Sequence, residues 1–293
     1  MCEFNSGWLE SNGSSCDGLL KIIKDMNFVV HAKTPKVTAV GDDGLVLSIR
    51  ICFLNTMAMK VLQNKLQISK SRQEMVKRGI SFVESPLCSL MRRSGFTRGM
   101  AIGDMLKSWD VLSTLNFLER YVQRKEPILD IGSYASEMIV ALHALGYSNL
   151  TGVDLNPNLR EMPHQDFIRY VVADFMRTKF NDASFQAITA ISVIEHGFCG
   201  HSLLKEMSRL LKPGGYFIAS FDYWSEKINT AGIDFFGMDW KIFSRDEIIG
   251  FIAEAAGYSL FPVGEMMYDG KNKPINFWGK QYTFAWLALR KSV

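Results

Sequence analysis

Hydrophobic and polar positions alternate in regular blocks between about residue 108 and residue 256. Short apolar runs rich in β-branched residues predict strands at 128–131, 150–154, 168–172, 187–192 and 215–221. Between them, apolar positions that recur every three or four residues predict helices at 136–145, 201–211 and 244–256. Strands and helices that alternate in this order are typical of a mostly parallel, doubly wound sheet.

Two serines mark predicted helix starts. Ser108 precedes four apolar residues that are spaced by four, three and four positions, so we expect it to cap a helix with one apolar face. Ser244 is followed three positions later by Glu247, which is the spacing of a capping box.

The last part of the chain changes character. The runs YSLFPVGEMM from Tyr258 and YTFAWLALRK from Tyr282 are both β-rich, and no helix-sized segment separates them. We expect them to pair as an antiparallel hairpin on the edge of the sheet. Together with the five parallel strands, this hairpin predicts an α/β fold with a doubly wound, mostly parallel, seven-stranded sheet.

The first hundred residues are less regular. Two β-branched runs flank Gly41-Asp42-Asp43-Gly44, a turn composition that predicts a β-hairpin. The segment 56–78 has helical spacing, with an apolar side formed by Met59, Leu62, Leu66 and Met75. We therefore predict a small N-terminal α+β region at 1–100, on the substrate side, and the main domain at 101–293.

Composition and charge describe an ordinary globular chain. It has 293 residues, of which 47% are hydrophobic, and a formal net charge of +3. Its five cysteines are scattered, without the spacing of a zinc site, which is simplest to explain by free thiols in a reducing compartment. The N-terminus lacks a signal-peptide pattern, and the apolar run from Leu45 is interrupted by Arg50. We expect a cytoplasmic protein without a membrane span.

A basic segment extends from Lys60 to Arg98. It carries nine Lys or Arg residues against only Glu74 and Glu84. Such a run is usually a solvated helix face, but it could also bind a phosphate-bearing or acidic partner. No aromatic residue of the kind that stacks on bases lies between Lys60 and Arg78, so nucleic acid is the weaker expectation.

The loop after the first predicted strand carries the main clue to a ligand. Gly132 follows Ile128–Ile131 and lets a ligand approach the backbone. In a dinucleotide site, two more glycines would stand at positions 134 and 137, where this chain has Tyr134 and Glu137. A pyrophosphate would meet a ring and a carboxylate there. A cofactor without phosphate is therefore favoured.

Five segments resemble, in order, the motifs of class I S-adenosylmethionine-dependent methyltransferases: ILDIGS, GVDLNP, VVADF, ITAISVIEH and RLLKPGGYFIAS. The resemblance covers about 108–293. It implies that the loop after the first strand faces the methionine part of S-adenosylmethionine, that Asp154 accepts the ribose hydroxyls, and that Asp174 and Phe175 hold the adenine. The cofactor-binding residues implied in this way are Asp130, Ile131, Gly132, Ser133, Tyr134, Asp154, Leu155, Asp174, Phe175 and Ser192.

Candidate acceptor-side residues follow the fourth and fifth strands. If the acceptor is a hydroxyl, a general base would help to remove its proton. Glu195 and His196 are the catalytic candidates, and His196 is the preferred base because it titrates nearest neutral pH. An equal alternative is that this histidine only hydrogen-bonds the backbone or helps to close the cofactor pocket. For substrate binding we select Asp222, Tyr223 and Trp240.

Two aromatic loops, 223–243 and 268–280, complete the predicted acceptor side. They either form the wall of a substrate pocket or pack as a small structural core. Aromatic walls with a few polar groups suit a small molecule or a sugar better than a flat macromolecular surface.

The sequence thus predicts a metal-independent methyltransferase that acts on a small molecule or glycan precursor, with oxygen as the expected target atom. Two alternatives stay open. Because Tyr134 and Ser136 replace glycines of the family loop, the protein could bind a cofactor or partner with little catalysis. The basic segment could instead belong to a nucleic-acid methyltransferase, which predicts a steep salt dependence of binding.

Overall fold

The chain divides into two compact units, 1–56 and 57–293. The computed structural model describes residues 29–31, 36–40, 46–50, 56–84, 86–94, 96, 100–197, 199–235 and 237–293. None of the helices in these ranges is both long and apolar enough to cross a membrane.

The first unit contains a three-stranded antiparallel sheet in the order β1-β2-β3. Its strands are β1 (Val29–His31), β2 (Lys36–Val40) and β3 (Val46–Arg50). The pairing of β2 with β3 confirms the two strands of the predicted hairpin. Its turn, residues 41–44, lies outside the described residues.

The second unit alternates strands and helices. Its helices are α1 (Lys65–Lys77), α2 (Pro86–Arg93), α3 (Ser108–Tyr121), α4 (Glu137–Ala144), α5 (Gly200–Leu210) and α6 (Arg245–Ala256). Its strands are β4 (Met57–Val61), β5 (Ile128–Ile131), β6 (Leu150–Asp154), β7 (Ile168–Val172), β8 (Phe185–Ile191), β9 (Leu211–Tyr223), β10 (Asp234–Phe235), β11 (Met238–Asp239), β12 (Leu260–Pro262), β13 (Glu265–Met266), β14 (Ile275–Phe277) and β15 (Lys280–Lys291).

The main sheet has the order β13-β4-β15-β9-β8-β5-β6-β7. Strands β5 to β9 pair in parallel, which confirms the predicted doubly wound core. Strand β12 pairs antiparallel with β15, as the predicted terminal hairpin requires. Seven strands were predicted, and the sheet extends beyond them because β4 and β13 add to it.

The predicted edge position of the hairpin is wrong for β15, although β13, from the first run, is the terminal strand of the sheet. Strand β15 pairs with β9 on one side and with β4 on the other, so it lies inside the sheet. The physical reason is the apolar run of β4, in which Ala58, Met59 and Val61 are all buried. A strand buried in this way needs a partner on the sheet, and β15 supplies it.

The segment 56–78 is a strand followed by a helix, so the prediction of one helix was wrong in its first half. Helix α1 begins after Asn64, whose side chain accepts a hydrogen bond from the Gln67 amide. Leu66 is 59% exposed, whereas Met59, Leu62 and Met75 are fully buried. The apolar spacing ran across the strand–helix junction, which is why it read as a single helix.

The two predicted serine caps have different outcomes. Ser244 and Glu247 form the expected capping box at α6. Ser108 does not cap α3, because a 3-10 turn at Met105–Lys107 precedes the helix and Asp104 caps that turn. The Ser108 hydroxyl instead accepts a hydrogen bond from Arg72 Nε at 2.9 Å.

Two apolar clusters cover the two faces of the main sheet. Neighbouring residues of β5 belong to different clusters: Ile128 to one, Leu129 and Ile131 to the other. This alternation is expected of a strand whose successive side chains point to opposite faces. The sheet is therefore buried on both faces, so a ligand reaches it at the ends of its strands.

Candidate active site

The predicted cofactor residues follow strand ends that lie along one edge of the sheet. Strands β7, β6, β5, β8 and β9 are neighbours in that order and run in parallel. Their carboxyl ends therefore meet at the same edge, which is where open α/β sheets bind ligands.

The loop after β5 is tied to the neighbouring strand β6. The Ser133 amide donates to the Val153 carbonyl at 3.1 Å. The Tyr134 amide donates to Asp154 Oδ2 at 2.9 Å. Two successive loop amides are thus anchored to β6, and Asp154 lies directly beside the loop.

The local backbone conformation and packing require glycine at position 132. Its φ is +69°, and a Cβ at this position would lie 2.3 Å from Val193 Cγ2. A side chain would therefore clash and would also adopt a backbone conformation that L residues disfavour.

Tyr134 and Ser136, which replace glycines of the family loop, and Ala135 between them are all accommodated by the structure. The Tyr134 ring is half-buried and packs on one apolar cluster. Ala135 takes the left-handed conformation at φ +58°. Ser136 is the N-cap of α4 and accepts a hydrogen bond from the Met138 amide at 3.2 Å. The loop is therefore well formed without these glycines.

Asp154 has acceptor capacity left after its internal bonds. Its Oδ1 accepts from the Asn156 amide at 2.8 Å and its Oδ2 from the Tyr134 amide at 2.9 Å. A carboxylate offers about four lone-pair sites, so about two remain. Two neighbouring hydroxyl donors, such as those of a ribose, fit this half-buried carboxylate.

Polar and apolar groups that could bind a nucleoside base lie at the ends of the neighbouring strands. Leu155 is 55% exposed beside Asp154. Asp174 is exposed, with its Oδ1 accepting from the Met176 amide at 2.9 Å, and Phe175 packs on the second apolar cluster. These positions leave an apolar surface and a carboxylate for a nucleoside base.

Buried polar atoms without partners line the start of the loop. Asp130 Oδ1 accepts from the Thr189 hydroxyl at 2.6 Å, but among the described residues Asp130 Oδ2, Ser133 Oγ and Ser192 Oγ make no hydrogen bond. Burial raises the pKa of Asp130 to about 6. Ser192 is held at φ +54°. Unpartnered buried atoms and a left-handed residue are typical of a ligand site.

A group of buried charges lies on the acceptor side. Asp110, Glu195 and Asp222 are each at most 4% exposed. Lys107 Nζ lies 3.6 Å from Asp222 Oδ1 and 3.6 Å from the centroid of the Phe284 ring. Trp240 Nε1 donates to Asp222 Oδ2 at 2.8 Å. The predicted residues Asp222 and Trp240 are thus brought together.

Burial decides the protonation of these groups. It raises the pKa of Asp110 to about 7 and that of Glu195 to about 8, the latter helped by the Asp222 charge, while Lys107 opposes both shifts. Burial alone would lower the pKa of Lys107, but the surrounding carboxylates outweigh it and raise that pKa. Glu195 therefore retains its proton in much of the population near neutral pH.

His196 is half-buried in the segment that follows β8. Its ring lies edge-on to Phe235, with centroids 6.1 Å apart. Burial lowers the pKa of His196, and this effect outweighs the nearby Asp222 charge. The imidazole is therefore neutral at physiological pH, which is the form that accepts a proton.

Tyr223, at the end of β9, has its side chain engaged within the protein. Its ring is fully buried, and its hydroxyl donates to the Tyr268 carbonyl at 2.7 Å. Its packing and its hydrogen bond explain this residue, so it does not enter the proposal below.

The two aromatic loops contact each other. Phe235 of the first loop lies 5.3 Å from Phe277 and 5.7 Å from Trp278 of the second, measured between ring centroids. A cleft of about 600 Å³ lies beside them, lined in part by Glu195, Trp240 and Thr230.

Sequence reasoning missed three residues near Asp222. Lys107 and Asp110 lie at the start of α3, and Tyr282 lies on β15, where burial raises its pKa. The available signal was a charged residue within an apolar helical pattern, which Asp110 provides.

The basic segment is partly neutralised within the protein. Arg72 pairs with Glu137, Arg78 with Glu119, and Arg92 with Glu84. In the described ranges, no group of three or more His, Cys, Asp or Glu residues could hold a metal ion. Metal independence stays a prediction.

Comparison with known proteins agrees with this geometry. Residues 129–219 match the family model described as a methyltransferase domain. Sterol methyltransferase-like 3 of Botryococcus braunii is 30% identical over 125 residues, 40% of this chain and 31% of that protein. Demethylmenaquinone methyltransferase of Staphylococcus epidermidis is 34% identical over 112 residues, 36% of this chain and 44% of that protein. The chain therefore spans less than half of the length of each relative.

Among solved structures, the 1,6-didemethyltoxoflavin-N1-methyltransferase of Burkholderia thailandensis is 15% identical, with a TM-score of 0.48 over 90% of this chain and 99% of that chain. Residues 129–219 thus match a methyltransferase domain, and the parallel strands in this segment have the α/β arrangement that the resemblance predicted.

Proposed function

We propose that this protein transfers a methyl group from S-adenosylmethionine to a small molecule. The observation that carries the proposal is the pairing of the loop after β5 with Asp154, which keeps acceptor sites for a ribose. The names of the two relatives support the same proposal, since they refer to a sterol and to demethylmenaquinone, which are small molecules.

Different residues at the carboxyl ends of the strands would bind different parts of the cofactor. Asp154 would accept the ribose hydroxyls, while Leu155, Asp174 and Phe175 would hold the adenine. Asp130, Ile131 and the loop 132–134, with Ser192, would face the methionine end, where buried polar atoms lack partners. When bound, the cofactor supplies an activated methyl group on a sulfonium ion.

The acceptor side supplies alignment and a proton acceptor. His196 is our candidate general base for a hydroxyl acceptor, because its imidazole is neutral and half-buried. Glu195 is better suited to donate a hydrogen bond, since it holds its proton up to about pH 8. Asp222, fixed by Trp240 and Lys107, would orient the acceptor. The proposal includes oxygen as the acceptor atom that receives the methyl group.

Calorimetric titration tests the cofactor site. We expect S-adenosylmethionine and S-adenosylhomocysteine to bind with micromolar affinity, and Asp154→Ala to weaken both at least tenfold. Asp182→Ala is the matched control, because its carboxylate is 78% exposed and pairs with Arg209. Absence of binding by the folded wild-type protein would refute the proposal and favour a binding protein with little catalysis.

A further inference from the structure

Helix α1 reaches the start of α4, directly beyond the cofactor loop, through one arginine. Arg72 Nη1 and Nη2 donate to Glu137 Oε1 and Oε2 at 2.6 and 2.8 Å. Both residues are buried, at 6% and 3% exposure. Glu137 is the first residue of α4, directly after the cap Ser136, so the ion pair acts on the end of the loop.

The buried pair is fully supported by hydrogen bonds. Arg72 also donates to the hydroxyls of Ser108 and Ser81, each at 2.9 Å, and to the Asp104 carbonyl at 3.3 Å. Glu137 Oε1 accepts from the Phe82 amide at 2.7 Å as well. A bidentate arginine pair with this support has a defined geometry, which a lysine could not reproduce.

A second contact reaches the loop backbone from the same side. The Gly103 amide donates to the Ala135 carbonyl at 2.8 Å. A Cβ at Gly103 would lie 2.8 Å from Glu137 Cβ, so the chain passes close to this residue. Phe82 and Gly103 therefore contact Glu137 and Ala135 through their backbone amides.

The loop needs such support because Gly132 is its only glycine. Ala135 adopts φ +58°, and a non-glycine residue in this conformation costs about 1–2 kcal/mol. A strained conformation persists only where surrounding contacts determine it. The contacts on Ala135 and Glu137 described above provide that determination.

We propose that Arg72 is a positioning residue for the cofactor loop. Through Glu137 it holds residues 132–137 in the shape that binds the cofactor. Helix α1 is then part of the cofactor site, although it lies outside the matched family domain at 129–219. The proposal rests on the proposed function for its ligand and on the ion pair for its geometry.

Arg72→Met tests the proposal, with Arg78→Met as a matched control. Arg78 leaves α1 toward α3, where it binds Glu119 and Asn116 away from the loop. Calorimetry with S-adenosylhomocysteine is done well below the unfolding temperature of each variant. We expect the Kd to rise at least tenfold in Arg72→Met and to stay within twofold in the control. Amides 133–137 should exchange with deuterium faster in Arg72→Met only.

Two further variants keep the test decisive. If Arg72→Met does not fold, Arg72→Lys and Glu137→Gln replace it, and the same loss of affinity is expected. Equal affinity and equal loop exchange in the Arg72 variants and the control would overturn the proposal. If the wild type binds no cofactor, the proposed function fails, and the exchange measurement still decides whether Arg72 positions the loop.

Discussion

Gly132 combines two constraints that a pair of substitutions can separate. Its φ of +69° alone disfavours a side chain, and Val193 leaves no space for one. Gly279 has the same φ of +69°, but there an added Cβ would meet no atom of the described residues within 4 Å. The pair therefore distinguishes backbone strain from steric overlap.

We predict that Gly132→Ala destabilises the protein more than Gly279→Ala. The control should cost about 1–2 kcal/mol for the left-handed conformation. Gly132→Ala should cost about 1–3 kcal/mol beyond that, because Val193 must move. Urea unfolding of both variants measures the difference. Equal losses would show that Val193 yields without cost.

At the scale of the element, the loop joins helix α4 through a cap. Ser136 stands where the family loop has glycine, and it accepts the Met138 amide. The residue therefore contributes a helix cap at a place where glycine would contribute only conformational freedom. Tyr134 and Ala135 occupy the rest of the turn without disturbing the two amides donated to β6.

We predict that Ser136→Ala costs about 1 kcal/mol in the free energy of unfolding, while Ser136→Gly costs a few tenths. The alanine loses the side-chain acceptor, whereas glycine is tolerated at a cap. Thermal and urea unfolding compare the two variants. Affinity for S-adenosylhomocysteine should stay unchanged in Ser136→Gly. A loss of affinity there would mean that the Ser136 hydroxyl binds the cofactor.

The sequence predicted the parallel strands because each is a short apolar run followed by a turn or a helical pattern. The five parallel strands agree with their predicted positions to within four residues. It did not predict β4, because that strand is recognised only by its pairing with β15, more than two hundred residues away. Local periodicity contains no information on such a pairing.

The candidate site also combines residues that the sequence predicted with residues that it did not predict. The cofactor-side residues directly follow strands, so their common edge could be inferred from the strand order. Lys107, Asp110 and Tyr282 come from a helix start and a distant strand, and only the folded chain places them near Asp222. The ion pair of Arg72 with Glu137 was hidden for the same reason, since a basic run predicts a solvated face.

At the scale of the whole molecule, burial of acidic groups links stability to pH. Asp110 is 0% exposed, and the groups that act on its carboxyl are Lys107, Ser220 and Asp222. Its pKa rises from 3.8 to about 7, mainly through burial. In the unfolded chain the same carboxyl loses its proton near pH 4. Between these values the unfolded state binds fewer protons than the folded state, so stability falls as pH rises.

We predict that Asp110→Asn removes this dependence. Relative to the variant, the wild type should lose up to about 1.4 kcal/mol per pH unit between pH 5 and 7, and little more above pH 8. Urea unfolding at each pH measures it, with Asp182→Asn as the baseline, since that carboxylate is 78% exposed. A constant difference between wild type and Asp110→Asn would show that Asp110 is ionised in the folded protein. The charge of Lys107, whose side chain is 21% exposed, would then be paired with two carboxylates instead of one.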